Sequence, residues 1–253
     1  MSPPPRTALV TGAGRGIGQS VAVRLATEGY RVALTARSAD QLEETARLCR
    51  GETLVLPADM LDPAAPDAVV SEVERAWGPV AVLVANAGAG DSAPVARITD
   101  EVWQRQIDLN LTAPFRCLRR VVPSMVDEGW GRVVVLASIA AKRGDPYIAA
   151  YTAAKHGVLG LVRSAAAELA RTGVTVNAVC PAYVDTPMTD GSVETIAATT
   201  GRSAEEARRA LERKQPVGRL ITVDEVSDAV MFCVGNAGVT GQGVNVDGGA
   251  VQS

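Results

Sequence analysis

Short apolar, β-branched runs alternate along this chain with longer stretches whose apolar residues recur at helical spacing. Arg6–Val10 is such a run and ends near glycine; Gly16 to Glu28 then carry helical spacing. Arg31–Thr35 is the next run, followed by a helical pattern over Ala39–Arg50. Thr53–Leu56, Val80–Ala85, Arg132–Ala137 and Val174–Val179 repeat the alternation, and Gly243–Val246 is a short last strand. Apolar runs this short, bounded by turn residues, read as strands buried on both faces. Their alternation with helices predicts right-handed βαβ units. The expected fold is therefore α/β, a doubly wound parallel sheet of about seven strands with helices on both sides.

Two helical patterns stand out. One runs from Val102 to Met125 as a single helix, and the other starts near Tyr151. A third segment breaks the rhythm, because between Pro181 and Gly218 the chain leaves the sheet and returns late. Within it, Ser203 to Leu211 has the pattern of a capped amphipathic helix. Ligands of open α/β sheets sit beyond the C-terminal strand ends, so this excursion, over 187–215, is placed to be a substrate lid.

The length of 253 residues suits one domain over 6–253, behind a short disordered or polyproline-like leader at 1–5. With 47% hydrophobic and 21% charged residues the composition is that of a soluble globular protein. A net charge of −3 gives no general attraction to phosphate backbones, so nucleic acid is not an expected partner. No apolar run approaches a membrane span. Cys49, Cys117, Cys180 and Cys233 are widely separated and form no ligand cluster with His156, the only histidine. They read as reduced thiols, and the chain as cytoplasmic and free of metal.

Candidate chemistry begins after the first strand, at Gly12-Ala13-Gly14-Arg15-Gly16-Ile17-Gly18. Gly12, Gly16 and Gly18 let the backbone turn tightly against a pyrophosphate, and the next helix offers its free N–H groups and positive dipole end. A glycine string is weak alone; between a strand and a helix it indicates a Rossmann-type dinucleotide site. At the end of the second strand a carboxylate would select a ribose 2′-hydroxyl. Ala36 and Arg37 stand there instead, and Arg15 adds a second cation, so the expected cofactor is NADP(H). Surface arginines without a ligand are the alternative.

Tyr151 and Lys155 are four residues apart and share one helix face, with Ser138 at the preceding strand end. A lysine ammonium favours phenolate and is expected to lower the tyrosine pKa. Tyr151 would then exchange a proton with a carbonyl oxygen that Ser138 also holds. Without the strand-end serine and the glycine loop, the pair would be an ordinary helix surface pair.

With these residues in view, the sequence resembles the short-chain dehydrogenase/reductase family from about Arg6 to the C-terminus. The resemblance implies that Asn110, Ser138, Tyr151 and Lys155 form the catalytic tetrad. It also implies cofactor contacts from Gly12, Arg15, Gly16, Ile17, Gly18, Arg37, Asp59, Asn86, Gly88, Tyr151, Lys155, Pro181 and Thr186. Lys155 would hold the nicotinamide ribose and Asn110 a water in a proton relay. Two positions depart from the family pattern: Ala85, where a second Asn is common, and Ala182, where Gly is usual.

Within the family the chain is similar to ketoreductases of 3-oxoacyl thioesters, which implies reduction of a carbonyl substrate. A dehydrogenase oxidising a secondary alcohol or a hydroxyacyl-CoA remains the alternative. A non-catalytic NADP-binding sensor would be expected to lose Tyr151, Lys155 or Ser138. Lys142 and Arg143 are placed to meet a carrier phosphate, or else are solvated loop charges. His156 reads as a packing or surface residue. The helix after Tyr151 is apolar over more than one stripe, which a monomer would not bury. A homotetramer, or a homodimer, is expected through this helix and its neighbour.

Overall fold

In the computed structural model, which describes residues 6–252, all of the apolar runs are strands. They are β1 (Thr7–Thr11), β2 (Arg31–Ala36), β3 (Thr53–Pro57), β4 (Val80–Ala85), β5 (Gly131–Leu136), β6 (Val174–Pro181) and β7 (Gly243–Val246). The seven pair in the order β3-β2-β1-β4-β5-β6-β7, parallel throughout. The leader expected at residues 1–5 lies outside the described residues.

Each strand feeds two cores. Leu9 of β1 and Val133 and Val135 of β5 face one layer; Ala8, Val10, Val134 and Leu136 face the other. The first layer is covered by α3 (Ala65–Trp77), α5 (Ala113–Asp127) and α6 (Ala149–Leu169). The second is covered by α1 (Gly16–Thr27), α2 (Ala39–Leu48) and α9 (Val223–Gly235). The period of two along every strand, with both faces apolar, is what requires helices on both sides.

The chain reverses its direction of sheet growth between β1 and β4, where an open α/β sheet leaves a crevice at the C-terminal strand ends. The glycine loop, Ser138 and Pro181 all leave the sheet at that edge.

The helix expected as one piece over Val102–Met125 is three segments end to end. They are α4 (Asp100–Ile107), a π-helical turn (Asp108–Thr112) and α5. Pro114 has no N–H to offer the carbonyl of Asn110, its partner in a regular helix, and the ladder opens to the wider spacing there.

The excursion after β6 folds as α7 (Pro187–Thr200) and α8 (Ala204–Glu212). The capped helix read from Ser203 is present. Ser203 Oγ accepts from the Glu206 N–H, and Glu206 returns the bond to the Ser203 N–H. Val193, Ala207, Leu211 and Leu220 form a small core of their own, separate from the two main layers.

Candidate active site

The glycine loop is held from behind by β4. Asn86 Nδ2 donates to Thr11 O at 3.0 Å and to Gly12 O at 3.1 Å, and Thr11 Oγ1 accepts from the Asn86 and Ala87 N–H groups. Gly12 has φ +66°, and a Cβ there would stand 2.8 Å from Asn86 Nδ2. A Cβ on Gly18 would stand 2.2 Å from Gly12 O, so the first turn of α1 can rest against the loop only without one.

The start of α1 differs from those of α2, α4, α8 and α9. Ser38, Thr99, Ser203 and Thr222 cap α2, α4, α8 and α9, and acids stand in the first turn of each. At α1 no side chain caps the N-terminus and no acid occupies the first turn. Its leading N–H groups are left for an anion, and the cradle fits a dinucleotide pyrophosphate. The Ile17 side chain packs on the core beneath. Thr186 lies across the loop, its methyl 3.3 Å from where a Gly16 Cβ would be.

At the end of β2, Ala36 borders the loop, its Cβ 3.7 Å from the Cβ position of Gly14. Arg15 and Arg37 are both exposed. Among the described residues neither enters an ion pair. Asp59, beyond β3, is exposed, and its Oδ1 accepts from the Leu61 N–H. Ala58 N–H donates to Ala36 O, which draws the Asp59 strand end beside that of β2.

The tetrad residues converge from three elements. Lys155, only 4% exposed, donates from Nζ to Leu136 O at 2.7 Å, and so binds α6 to the end of β5. Tyr151 lies one turn earlier, with the Lys155 ammonium 5.5 Å from its ring centre. Ser138 leaves β5 just after Leu136, and its hydroxyl accepts from the Ala140 N–H. Asn110 sits fully buried in the π-helical turn, which turns it inward. Both Asn110 Oδ1 and Lys155 Nζ lie within 4 Å of where a Gly88 Cβ would stand, at 2.9 and 3.7 Å.

Asn110 Nδ2 donates to Ala89 O, to Gln106 O and to Gln106 Oε1. Its Oδ1 is buried without a partner. An orphaned buried acceptor beside an ammonium suits a water or substrate proton donor.

The electrostatics correct one expectation. Burial pushes the Tyr151 phenol up to about 12, against a lowering contribution from Ser138. Burial also pushes Lys155 down to about 8. The lowering expected from Lys155 is not found: desolvation dominates the Tyr151 shift, and the Lys155 ammonium is engaged with the Leu136 carbonyl. At neutral pH Tyr151 keeps its proton.

Other side chains resolve as structure. Lys142 Nζ donates to Gly243 O at 2.6 Å, and Arg143 Nη1 to Ala250 O at 3.0 Å. His156 Nδ1 is 3.0 Å from Thr152 O on the exposed side of α6. The departure Ala182 is held where its N–H donates to Val246 O, continuing the β6 edge. Cys117, Cys180 and Cys233 are buried, and all four thiols are free.

The family model described as short chain dehydrogenase matches residues 6–197. This chain belongs to the short chain dehydrogenase family. A putative ketoacyl reductase of Streptomyces coelicolor is 40% identical over 249 residues, covering 96% of this dehydrogenase and 95% of the relative. A D-beta-hydroxybutyrate dehydrogenase of Rhizobium meliloti is 35% identical over 252 residues, with 96% and 98% covered. A solved structure of a variant actinorhodin polyketide ketoreductase with NADPH superposes with a TM-score of 0.92. It is 38% identical, and 97% of each chain is covered.

Gln106 and Thr11, which support Asn110 and the glycine loop in this dehydrogenase, carried no functional signal in the sequence. Gln106 lies four residues before Asn110 and is 1% exposed. Its spacing was visible, but a glutamine in a helix pattern reads as solvated surface.

Proposed function

We propose that this short chain dehydrogenase reduces a ketone to a secondary alcohol with NADPH, its substrate a 3-oxoacyl thioester. The observation that carries the reading is the placement of Tyr151, its ring 5.5 Å from the Lys155 ammonium one helical turn on and against the loop at Gly90, with burial favouring its neutral form. A phenol held neutral at physiological pH is poised to give a proton, the role that reduction requires.

The bound cofactor supplies a hydride to the carbonyl carbon. The glycine loop and the uncapped start of α1 hold its pyrophosphate, and Arg15 and Arg37 meet the 2′-phosphate where Ala36 offers no competing carboxylate. Asp59, Gly88, Pro181 and Thr186 line its remaining length. Ser138 donates to the substrate carbonyl oxygen and orients it. Tyr151 transfers its hydroxyl proton to that same oxygen, forming the O–H bond of the alcohol. The Lys155 ammonium steadies the phenolate left behind, and Asn110 Oδ1 receives the water through which Tyr151 regains its proton.

Alcohol oxidation is the same chemistry reversed, and the likeness to D-beta-hydroxybutyrate dehydrogenase favours it as the second reading. All tetrad side chains of an enzyme are present, which speaks against a sensor.

The enzyme works in the cytoplasm as a homotetramer, with α7 and α8 closing over the substrate. The test is a panel of ketones, 3-oxoacyl thioesters and secondary alcohols, followed by cofactor absorbance with NADPH and NADH. Consumption of NADPH with a 3-oxoacyl thioester supports the reading. Turnover confined to alcohols with NAD+ would reject it.

A further inference from the structure

We infer that Gln106 is a positioning residue which, through Asp91, clamps the loop after β4 to Asn110 and so fixes one wall of the active site. The inference rests on the catalytic reading of Asn110, Tyr151 and Lys155 given above.

The loop in question, residues 86–94, has no regular secondary structure. It nevertheless passes directly over the reacting groups. A Cβ on Gly90 would lie 3.5 Å from the Tyr151 ring, and one on Gly88 would lie 2.9 Å from Asn110 Oδ1. Beyond the Asn86 and Ala87 bonds to the glycine loop, three bonds hold residues 89–93 down. Asn110 Nδ2 donates to Ala89 O at 2.9 Å, Gln106 Nε2 donates to Asp91 Oδ2 at 2.9 Å, and the Ala93 N–H donates to Tyr147 O at 2.8 Å. Tyr147 is the one non-glycine among the described residues with a positive φ, +71°, so the loop grips a strained point at the start of α6.

Gln106 joins the first two of these bonds. A carboxylate at neutral pH only accepts, so Asp91 requires the amide nitrogen of Gln106. That leaves Gln106 Oε1 as an acceptor, 3.0 Å from Asn110 Nδ2. The nitrogen of Asn110 is thereby turned away from the site, and its oxygen, without a partner, faces Gly88 and Lys155. The order of donors and acceptors from Asp91 to Asn110 has one consistent direction, and it presents an acceptor to the active site.

Gln106 is the only buried residue of α4, at 1% exposure, whereas the Asp91 side chain is 43% exposed. A buried amide that spends both its ends on one loop and one catalytic side chain is costly to leave half-satisfied. Among the described residues Arg105 is the one cation in an ion pair with Asp91, 4.0 Å away and itself exposed.

Isosteric exchange separates this role from mere packing. Gln106→Glu keeps an acceptor for Asn110 but sets a carboxylate against Asp91. Adding Asp91→Asn returns a donor at the loop and rebuilds the chain of bonds with its partners reversed. We expect Gln106→Glu to lower kcat about tenfold, the scale of one hydrogen bond to a charged group. Affinity for NADPH, measured by fluorescence titration, should fall far less than kcat, because the clamp lies beyond Gly88 and remote from the pyrophosphate cradle. Hydrogen exchange over residues 88–94 in the ligand-free protein should accelerate. The double variant Gln106→Glu with Asp91→Asn should recover both the rate and the protection.

Wild-type rate and protection in Gln106→Glu would overturn the inference, as would a double variant no better than the single one. If the single variant does not fold, the double variant decides alone by whether its rate and protection match wild type. If the wild type turns over none of the substrates, the proposed activity fails, and the exchange measurement still decides the clamp.

Discussion

Asn86 Nδ2 lies 3.1 Å from Gly12 O and 2.8 Å from the point a Gly12 Cβ would occupy, so β4 braces the glycine loop at the place where the loop has no room to spare. Asn86→Ala removes the donor that two carbonyls share. The expected loss of stability is about 1–3 kcal/mol, the cost of leaving such groups unsatisfied. Denaturant unfolding measures it, and a weaker affinity for NADPH should accompany it. Unchanged stability and affinity would show that the brace is dispensable.

The buried pair in α6 sets a pH dependence. Burial lowers Lys155 to about 8, so its ammonium is present below that value and lost above it. Tyr151, pushed up to about 12, keeps its proton across the same range. For reduction, kcat/KM should hold at neutral pH and fall as pH rises through about 8, as the free enzyme loses the lysine charge. A profile that rises through this range would mean that the neutral lysine is the working form.

Cofactor choice turns on the end of β2. Ala36 borders Gly14, and Arg37 is exposed. Ala36→Asp with Arg37→Ile should weaken NADPH binding about 10–100-fold while sparing NADH, since a charge-assisted contact is replaced by a like-charge repulsion. Equal loss for both cofactors would point to damage of the loop instead.

Much of this architecture is legible in the sequence because its signals are periodic or sterically strict. Strands buried on both faces leave unbroken apolar runs, and glycine is required where Gly18 touches Gly12 O. Tyr151 and Lys155 are paired by their spacing once Ser138 and the glycine loop give it a context. The break of the helix at Asn110 is hidden in the sequence, although Pro114 marks it, because apolar spacing continues smoothly across the π-helical turn. The direction of the Tyr151 shift is hidden too. It depends on how deeply α6 sinks against β5, a tertiary quantity that spacing does not carry. Lys142 and Arg143 read as carrier contacts or as solvated loop charges for the same reason: their carbonyl partners, Gly243 and Ala250, are about a hundred residues away in sequence.

The proposed assembly would use the outward side of α6. Gly160 and Ala167 are exposed there, and a Cβ on Gly160 would meet nothing within 4 Å. Phe115 of α5 is 39% exposed. Sedimentation at micromolar concentration should give the mass of several chains, and Ala167→Asp should reduce it by placing a charge in the contact. A wild-type monomer would refute the assembly, and an unchanged mass in the variant would move the contact elsewhere.

The central claim is that Tyr151 delivers the proton while NADPH delivers the hydride. Tyr151→Phe removes only the hydroxyl. The direct measurement is NADPH consumption with a 3-oxoacyl thioester by wild type and variant, alongside the affinity of each for NADPH. The account predicts a fall in kcat of about 10²–10⁴-fold, the usual contribution of a general acid, with cofactor affinity retained. Turnover near the wild-type rate in Tyr151→Phe would contradict it.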